Sequence, residues 1–288
     1  MRCEIAGRTI WCKAESLQPV GAFKLRGAWH RLTDLTSEER KGGVVAFSSG
    51  NHAQGVAWSA ARLGMAATII IPTDAPKLKI DATRALGAEI ILYDRMTEDR
   101  AAIAACIAAE RGAALVPSYD DPWIIEGQGS VGLEALDQLG EEPDLVITPC
   151  GGGGLASGLA LALPNAGIVI VEPEGWDDMT RSLQAGHIVP VGPNPPATAC
   201  DALMTLRVSA LTFTVLQGRK SVGVAVSETE VSTAMRYALK TFGLILEPGG
   251  AVGLAALLSG KIAPAERTLV ILSGGNVEPA LFAAMTAD

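Results

Sequence analysis

From Gly43 onward two patterns of apolar and polar positions alternate along the chain. Short apolar runs rich in β-branched residues recur: VVAF (44–47), ATIII (67–71), AEIILY (88–93), AALV (113–116), DLVIT (144–148), GIVIV (167–171) and TLVIL (268–272). Between them lie Ala-rich amphipathic stretches such as NHAQGVAWSAARLG (51–64), KLKIDATRALG (77–87) and the segment from Glu98 to Arg111. Continuous apolar runs bounded by turn residues predict strands buried on both faces, and helical segments between them predict parallel crossovers. The fold class is therefore α/β. Gly87 suits the left-handed position that follows a helix. The stretch GHIVPVGPNPPATAC (186–200) carries four prolines and almost no periodicity, which predicts a surface loop or crossover.

No repeat, charge block or low-complexity linker divides the chain into independent halves. The expected division is discontinuous, with a small α/β domain at 46–119 inserted into a large domain made of 1–45 plus 120–288. A chain of 288 residues is long enough for two such domains to fold without disulfides or metals.

Composition narrows the function classes. Lys and Arg number 23 against 31 Asp and Glu, a net charge of −8, which argues against a binder of nucleic acid or of anionic membrane. The longest apolar runs are strand-length, well short of the roughly 20 residues of a membrane span. The opening MRCEIAGRTIWCK has no apolar signal region, so a cytoplasmic location is expected. Cys3, Cys12, Cys106, Cys150 and Cys200 form an odd set without metal-ligand spacing, which suits reduced thiols.

Three glycine-containing turns follow predicted strands. Gly151 to Gly154 lie between DLVITPC and the helical LASGLALAL, where backbone N–H groups and a helix dipole would suit a phosphate; a plain flexible turn is the alternative. Ser273-Gly274-Gly275-Asn276 follows TLVIL, and Ser48-Ser49-Gly50-Asn51-His52 follows VVAF and opens a helix. Polar turns at the carboxyl edge of a parallel sheet predict a ligand site. Lys24 stands between Phe23 and Leu25, and an apolar neighbourhood lowers a lysine's pKa and makes its amine nucleophilic.

In order, SLQPVGAFKLRGAW, SSGNHAQGVA, GGGGL, EPGGAVGLAALLSGK and LSGGN resemble the fold type II pyridoxal-phosphate enzymes, nearest the serine/threonine dehydratase and serine racemase branch. The resemblance covers nearly the whole chain. It implies a tryptophan synthase β-like fold of two open, twisted, mostly parallel sheets flanked by helices, and a homodimer acting on a small amino acid. It also implies that Lys24 carries pyridoxal 5′-phosphate as a Schiff base and moves the Cα proton. Phe23 would pack on the ring and Asn51 would donate to its 3-hydroxyl. Gly151, Gly152, Gly153 and Gly154 would hold the phosphate, and Ser273 would bond the ring nitrogen. The substrate carboxylate would sit at Ser48, Ser49, Gly50, Asn51 and His52. A neutral hydroxyl at the ring nitrogen favours elimination over transamination.

Ser49 occupies the position that in serine racemases supplies a hydroxyl opposite the lysine; helix capping is its other reading. VEPEGWDD (171–178) resembles the cation-binding segment of the metal-activated members, with Glu172, the Trp176 carbonyl and Asp178 as hard ligands for Mg²⁺ or Ca²⁺. Two departures stand out. Lys24 comes some thirty residues early for the family, which points to a truncated or displaced start, and CDALMT (200–205) replaces the usual ADG-type turn. The absence of a regulatory domain after Asp288 argues against a feedback-inhibited biosynthetic deaminase. The reading is an ammonia-lyase for a β-hydroxy amino acid such as L-threonine or L-serine. A 3-hydroxyaspartate dehydratase, a serine or aspartate racemase, and a non-catalytic binder of the cofactor remain as alternatives. A second substrate carboxylate would call for a cation, for which Arg181 and Arg207 are the candidates.

Overall fold

The computed structural model describes residues 1–48, 50–75, 77–94 and 96–287, apart from the side chain of Leu78. Its strands are β1 (Arg2–Ile5), β2 (Arg8–Ala14), β3 (Val44–Phe47), β4 (Ala67–Pro72), β5 (Glu89–Tyr93), β6 (Ala114–Leu115), β7 (Leu145–Pro149), β8 (Gly167–Pro173), β9 (Val222–Val226) and β10 (Thr268–Leu272). The helices in the first half are α1 (Lys24–Asp34), α2 (Ser37–Gly42), α3 (Asn51–Arg62), α4 (Lys77–Ala85), α5 (Arg100–Arg111) and α6 (Pro122–Leu139). Those in the second half are α7 (Gly154–Ala162), α8 (Asp178–Ala185), α9 (Ala210–Gly218), α10 (Glu228–Phe242), α11 (Pro248–Leu258) and α12 (Pro279–Thr286).

The chain divides into a unit of residues 24–127 and a unit of residues 1–23 with 128–288. The division is discontinuous, but its boundaries lie at 23/24 and 127/128 rather than at 45/46 and 119/120. The reason is packing: Ala28 and Leu32 of α1, and Ile124 of α6, are buried in one cluster with Val56 of α3 and Ile69 of β4.

The smaller unit holds a wholly parallel sheet in the order β5-β4-β3-β6. Every residue of β4, ATIIIP, is buried, as expected of a strand covered on both faces. The larger unit holds a six-stranded sheet in the order β1-β2-β10-β7-β8-β9, parallel except for the edge strand β1. Its central strand β10 and the helix α11 are both buried throughout apart from the last residue of α11, Leu258, which is partly exposed. A helix apolar on all sides belongs inside the protein. Removing each of its Val and Leu side chains from water contributes about 1.5–3 kcal/mol.

Three strands escape the sequence pattern. In β2, RTIWCKA, the charged Lys13 interrupts the apolar run, yet its ammonium is buried because it donates to Gln138 Oε1 at 2.8 Å and pairs with Glu134 at 2.9 Å. β1 and β9 are sheet edges with only partial burial; RCEI of β1 carries little apolar signal, whereas VGVAV of β9 is apolar but short and interrupted by Gly223. Residues 186–200 contain neither helix nor strand. No helix among the described residues is long and apolar enough to cross a membrane.

Candidate active site

In the smaller unit, α1 begins at Lys24 and buries Leu25, Gly27, Ala28 and Leu32 on its inner face. The Lys24 side chain is partly exposed, but its Nζ is sunk and donates to the Ser118 carbonyl at 2.7 Å. Desolvation lowers its pKa from 10.5 to about 8. The Ser118 contact joins residues far apart in sequence, and no local pattern signals it.

The turn from β3 into α3 holds the Ser48 to His52 motif at the start of a helix. Gly50 precedes α3 and offers no side-chain cap, while the Ser48 hydroxyl accepts from the Gly50 N–H at 3.2 Å. The N-cap residue itself thus supplies no side chain to the first-turn amides of α3, at the positive end of the helix dipole. Asn51 is buried at that end. His52 is 2% exposed; its Nε2–H donates to the Val116 carbonyl at 2.9 Å. Desolvation first, and the Lys24 charge second, drive the imidazole pKa down to about 3, so it stays neutral. Toward a carboxylate, His52 therefore has only its amide to offer, since its imidazole is committed to Val116. Ser49 lies outside the described residues.

In the larger unit, β10, β7 and β8 are parallel neighbours and end at one edge of the sheet. Ser273 and Cys150 each lie three residues beyond the paired Val270 and Ile147, so the Ser273 turn and the glycine loop leave adjacent strands at the same level. The turn at Ser48 belongs to the other sheet. The three polar turns are thus divided between two sheets, two and one, rather than gathered at a single edge, because β3 pairs with β4 and β6 and not with β7.

Gly153 precedes α7 with φ +88° and no side-chain cap. A Cβ there would lie 2.9 Å from both Met179 Cε and Thr212 Cβ, and one on Gly151 would lie 3.2 Å from the Leu203 Cα. Thr212 pins the loop by donating its hydroxyl to the Gly152 carbonyl at 2.9 Å. The loop is a cradle in which side chains have no room and the helix-start amides are left uncapped. Ser273 is buried, and its carbonyl accepts from the Phe23 N–H at 3.0 Å, which ties the Phe23 backbone to the end of β10. The buried Glu247 packs its carboxylate against Gly274 so closely that a Cβ on Gly274 would collide with it. The EPGGA motif was legible, but nothing in its pattern brings Glu247 beside the Ser273 turn.

Glu172, at the end of β8, is fully buried and accepts from Met179 N–H at 3.1 Å, Thr180 N–H at 2.7 Å and the Thr180 hydroxyl at 2.6 Å. Burial outweighs these donors, Asp178 repels it, and its pKa rises to about 8. Burial also raises Asp178 to about 6; its Oδ2 accepts from Val208 N–H at 2.9 Å, and its Oδ1 has no partner. Trp176 is buried, with its indole N–H donating to the Pro196 carbonyl at 2.8 Å. Among the described residues no three His, Cys, Asp or Glu side chains gather as a metal site. Arg181 is engaged with Asp177 at 3.4 Å and the Pro190 carbonyl at 3.2 Å, and Arg207 is exposed.

Comparison with known proteins decides the family. The family model described as pyridoxal-phosphate dependent enzyme matches residues 3–274. The chain belongs to this family. Among relatives of this pyridoxal-phosphate enzyme, L-threo-3-hydroxyaspartate ammonia-lyase of Pseudomonas sp is 41% identical over 97% of this chain and 88% of the relative. L-threonine ammonia-lyase of Thermotoga maritima is 38% identical over 96% of this chain and 69% of the relative. Among solved structures, maize serine racemase superposes with a TM-score of 0.92 at 35% identity, covering 99% of this chain and 91% of the other.

The residues fit the cofactor of the family. The uncapped glycine cradle suits its phosphate, and a sunken lysine with a lowered pKa suits its carbonyl carbon. The lowered pKa has a kinetic consequence. Neutral amine is the reacting species, so if Lys24 is the attachment point, reattachment of added pyridoxal phosphate to protein stripped of cofactor should accelerate as pH rises, with a midpoint near 8 rather than 10.5. Stopped-flow absorbance across pH 6 to 11 measures this; a midpoint at the ordinary lysine value contradicts the buried amine.

Proposed function

We propose that this enzyme is an ammonia-lyase that removes the β-hydroxyl and the amine of a hydroxy amino acid, leaving a 2-oxo acid. The observation that carries this reading is the Lys24 amine, poised near neutrality by burial and held by the Ser118 carbonyl. When bound, pyridoxal phosphate supplies the electron sink that makes the substrate Cα–H acidic. Lys24 takes the Cα proton and later returns one. The α3 amides from Asn51 onward orient the substrate carboxylate, and the amides of Gly151 to Gly154 hold the phosphate. Asn51 serves the ring 3-hydroxyl, Phe23 the ring face, and Ser273 the ring nitrogen as a neutral partner.

L-threo-3-hydroxyaspartate heads the substrate class, on the strength of the similarity to the Pseudomonas sp relative, with L-threonine and L-serine after it. Assaying 2-oxo acid release by the cofactor-loaded protein across the stereoisomers of these three compounds tests the reading. Failure to consume any of them overturns it and leaves a binder of the cofactor. A racemase activity through Ser49 is the second reading, favoured by the similarity to maize serine racemase, and chiral chromatography of the same reactions tests it.

A divalent cation at Glu172, Asp178 and the Trp176 carbonyl is the further proposal, supported by the unpartnered buried Oδ1 of Asp178 and opposed by the Met179 and Thr180 bonds that already occupy both Glu172 oxygens. A cation that binds only the folded state stabilises it, by about 2.7 kcal/mol at a hundred times its dissociation constant. Millimolar Mg²⁺ should raise the melting temperature and a chelator should lower it. A melting temperature indifferent to both removes the cation from the account.

A further inference from the structure

β1 and β2 form an antiparallel edge hairpin in which Cys3 lies opposite Ile10. Cys12 is two residues further along β2, hence on the same face of the sheet as Cys3. The main chains of Met1 and Cys12 exchange hydrogen bonds of 3.0 and 2.8 Å, which sets this register. Cys12 is buried in the core cluster, while Cys3 and Tyr237 of α10 are partly buried and pack against that cluster. Cys12 and Tyr237 are the neighbours whose polar atoms act most favourably on the Cys3 thiolate.

We propose that Cys3 and Cys12 are an oxidative modification site, closed by hydrogen peroxide into an intrachain disulfide that staples β1 to β2. The sulfurs are diagonal neighbours across the hairpin, so bridging them calls for a small shift of one strand. Among the described residues β1, at the sheet edge, pairs with β2 alone, so such a shift disturbs one strand pairing.

The chemistry starts at Cys3, whose thiol is lowered to about 7 chiefly by the neighbouring Cys12, with Tyr237 and the Met1 ammonium adding to it and burial and Glu4 opposing. The Cys3 thiolate attacks one peroxide oxygen, the O–O bond breaks, and hydroxide departs to take up a proton, leaving a sulfenic acid. Cys12 is held as a thiol by the neighbouring Cys3 sulfur and its charge and by burial; oxidation of Cys3 removes that charge. The Cys12 sulfur then attacks Cys3 Sγ, the S–O bond breaks, and the departing hydroxide leaves as water with the Cys12 proton. Two thiols and one peroxide give one disulfide and two waters. Cys106, although exposed, has its thiol raised by Glu110 and is the natural internal control.

Trypsin cuts after Arg2, Arg8 and Lys13, so Cys3 and Cys12 fall on separate peptides, CEIAGR and TIWCK. The test treats the cofactor-loaded protein with limiting peroxide, quenches with iodoacetamide and maps the peptides without reductant. The expected result is a linked CEIAGR–TIWCK pair that appears before Cys106 is oxidised and is released by dithiothreitol. Cys12→Ala should abolish the linked pair and, because it removes the neighbour that lowers the Cys3 thiol, slow Cys3 oxidation, with dimedone trapping the Cys3 sulfenic acid that does form. Cys106 oxidising first, or Cys3 and Cys12 both remaining alkylatable, overturns the proposal. The wild-type map decides on its own if the variant does not fold.

Discussion

Lys24→Ala abolishes turnover and the visible absorbance of the bound cofactor while the protein still folds. Alanine removes the amine proposed to attach the cofactor and move the Cα proton, and the expected loss is at least about 10⁴-fold, about 5 kcal/mol of barrier. Stability moves little or rises, because an ammonium whose pKa is pulled down to about 8 is disfavoured by the fold at neutral pH. The sign follows from linkage: the folded state gives up its proton more readily than the unfolded one, so below pH 8 burial of the charged amine costs stability, and alanine removes that cost. Turnover assay, absorbance and thermal melting on one preparation check all three. Retained activity would sink the functional reading, and a collapsed melting transition would show Lys24 to be structural.

Gly153→Ala carries the second largest effect, on stability and cofactor affinity together. At φ +88° an L side chain is strained by about 1–2 kcal/mol, and overpacking adds about 1–3 kcal/mol. Met179 Cε is the end of a flexible chain and can yield, whereas Thr212 Cβ is held by the hydroxyl bond to Gly152. The loop must therefore shift and its amides turn away from the phosphate. The melting temperature of the cofactor-free protein should fall and the cofactor dissociation constant should rise at least about tenfold. A titration and a melt indistinguishable from wild type would show that the loop neither needs glycine here nor holds the phosphate.

Much of the architecture is legible in local pattern. β3, β4, β7, β8 and β10 coincide with the apolar runs because a parallel strand paired on both sides and covered on both faces has few positions for a polar side chain, and the edge strand β5 matches its run as well although Glu89 and Leu92 are exposed. Strands whose burial depends on partners are not legible. Lys13 makes β2 look like a surface segment until Glu134 and Gln138, more than a hundred residues on, neutralise it. The start of the smaller unit at Lys24 is equally hidden, since it depends on α1 choosing α3 as its packing partner.

For the chemistry, the chain itself determines the residue types and their order: a lysine between apolar neighbours, a glycine run after a strand, a Ser-Gly-Asn-His turn opening a helix. Each is a local property, set by backbone freedom or side-chain polarity within a few residues. Tertiary structure decides the electrostatics and the neighbours, because burial and long-range contacts are not encoded locally. It alone brings the Ser118 carbonyl to Lys24 and lowers the amine's pKa. It commits the His52 imidazole to Val116, which leaves only an amide for an anion. It also sets Glu247 beside Gly274 and raises both Glu172 and Asp178 by removing them from water. Desolvation and proximity are sums over atoms distant in sequence, and only the folded chain performs that sum.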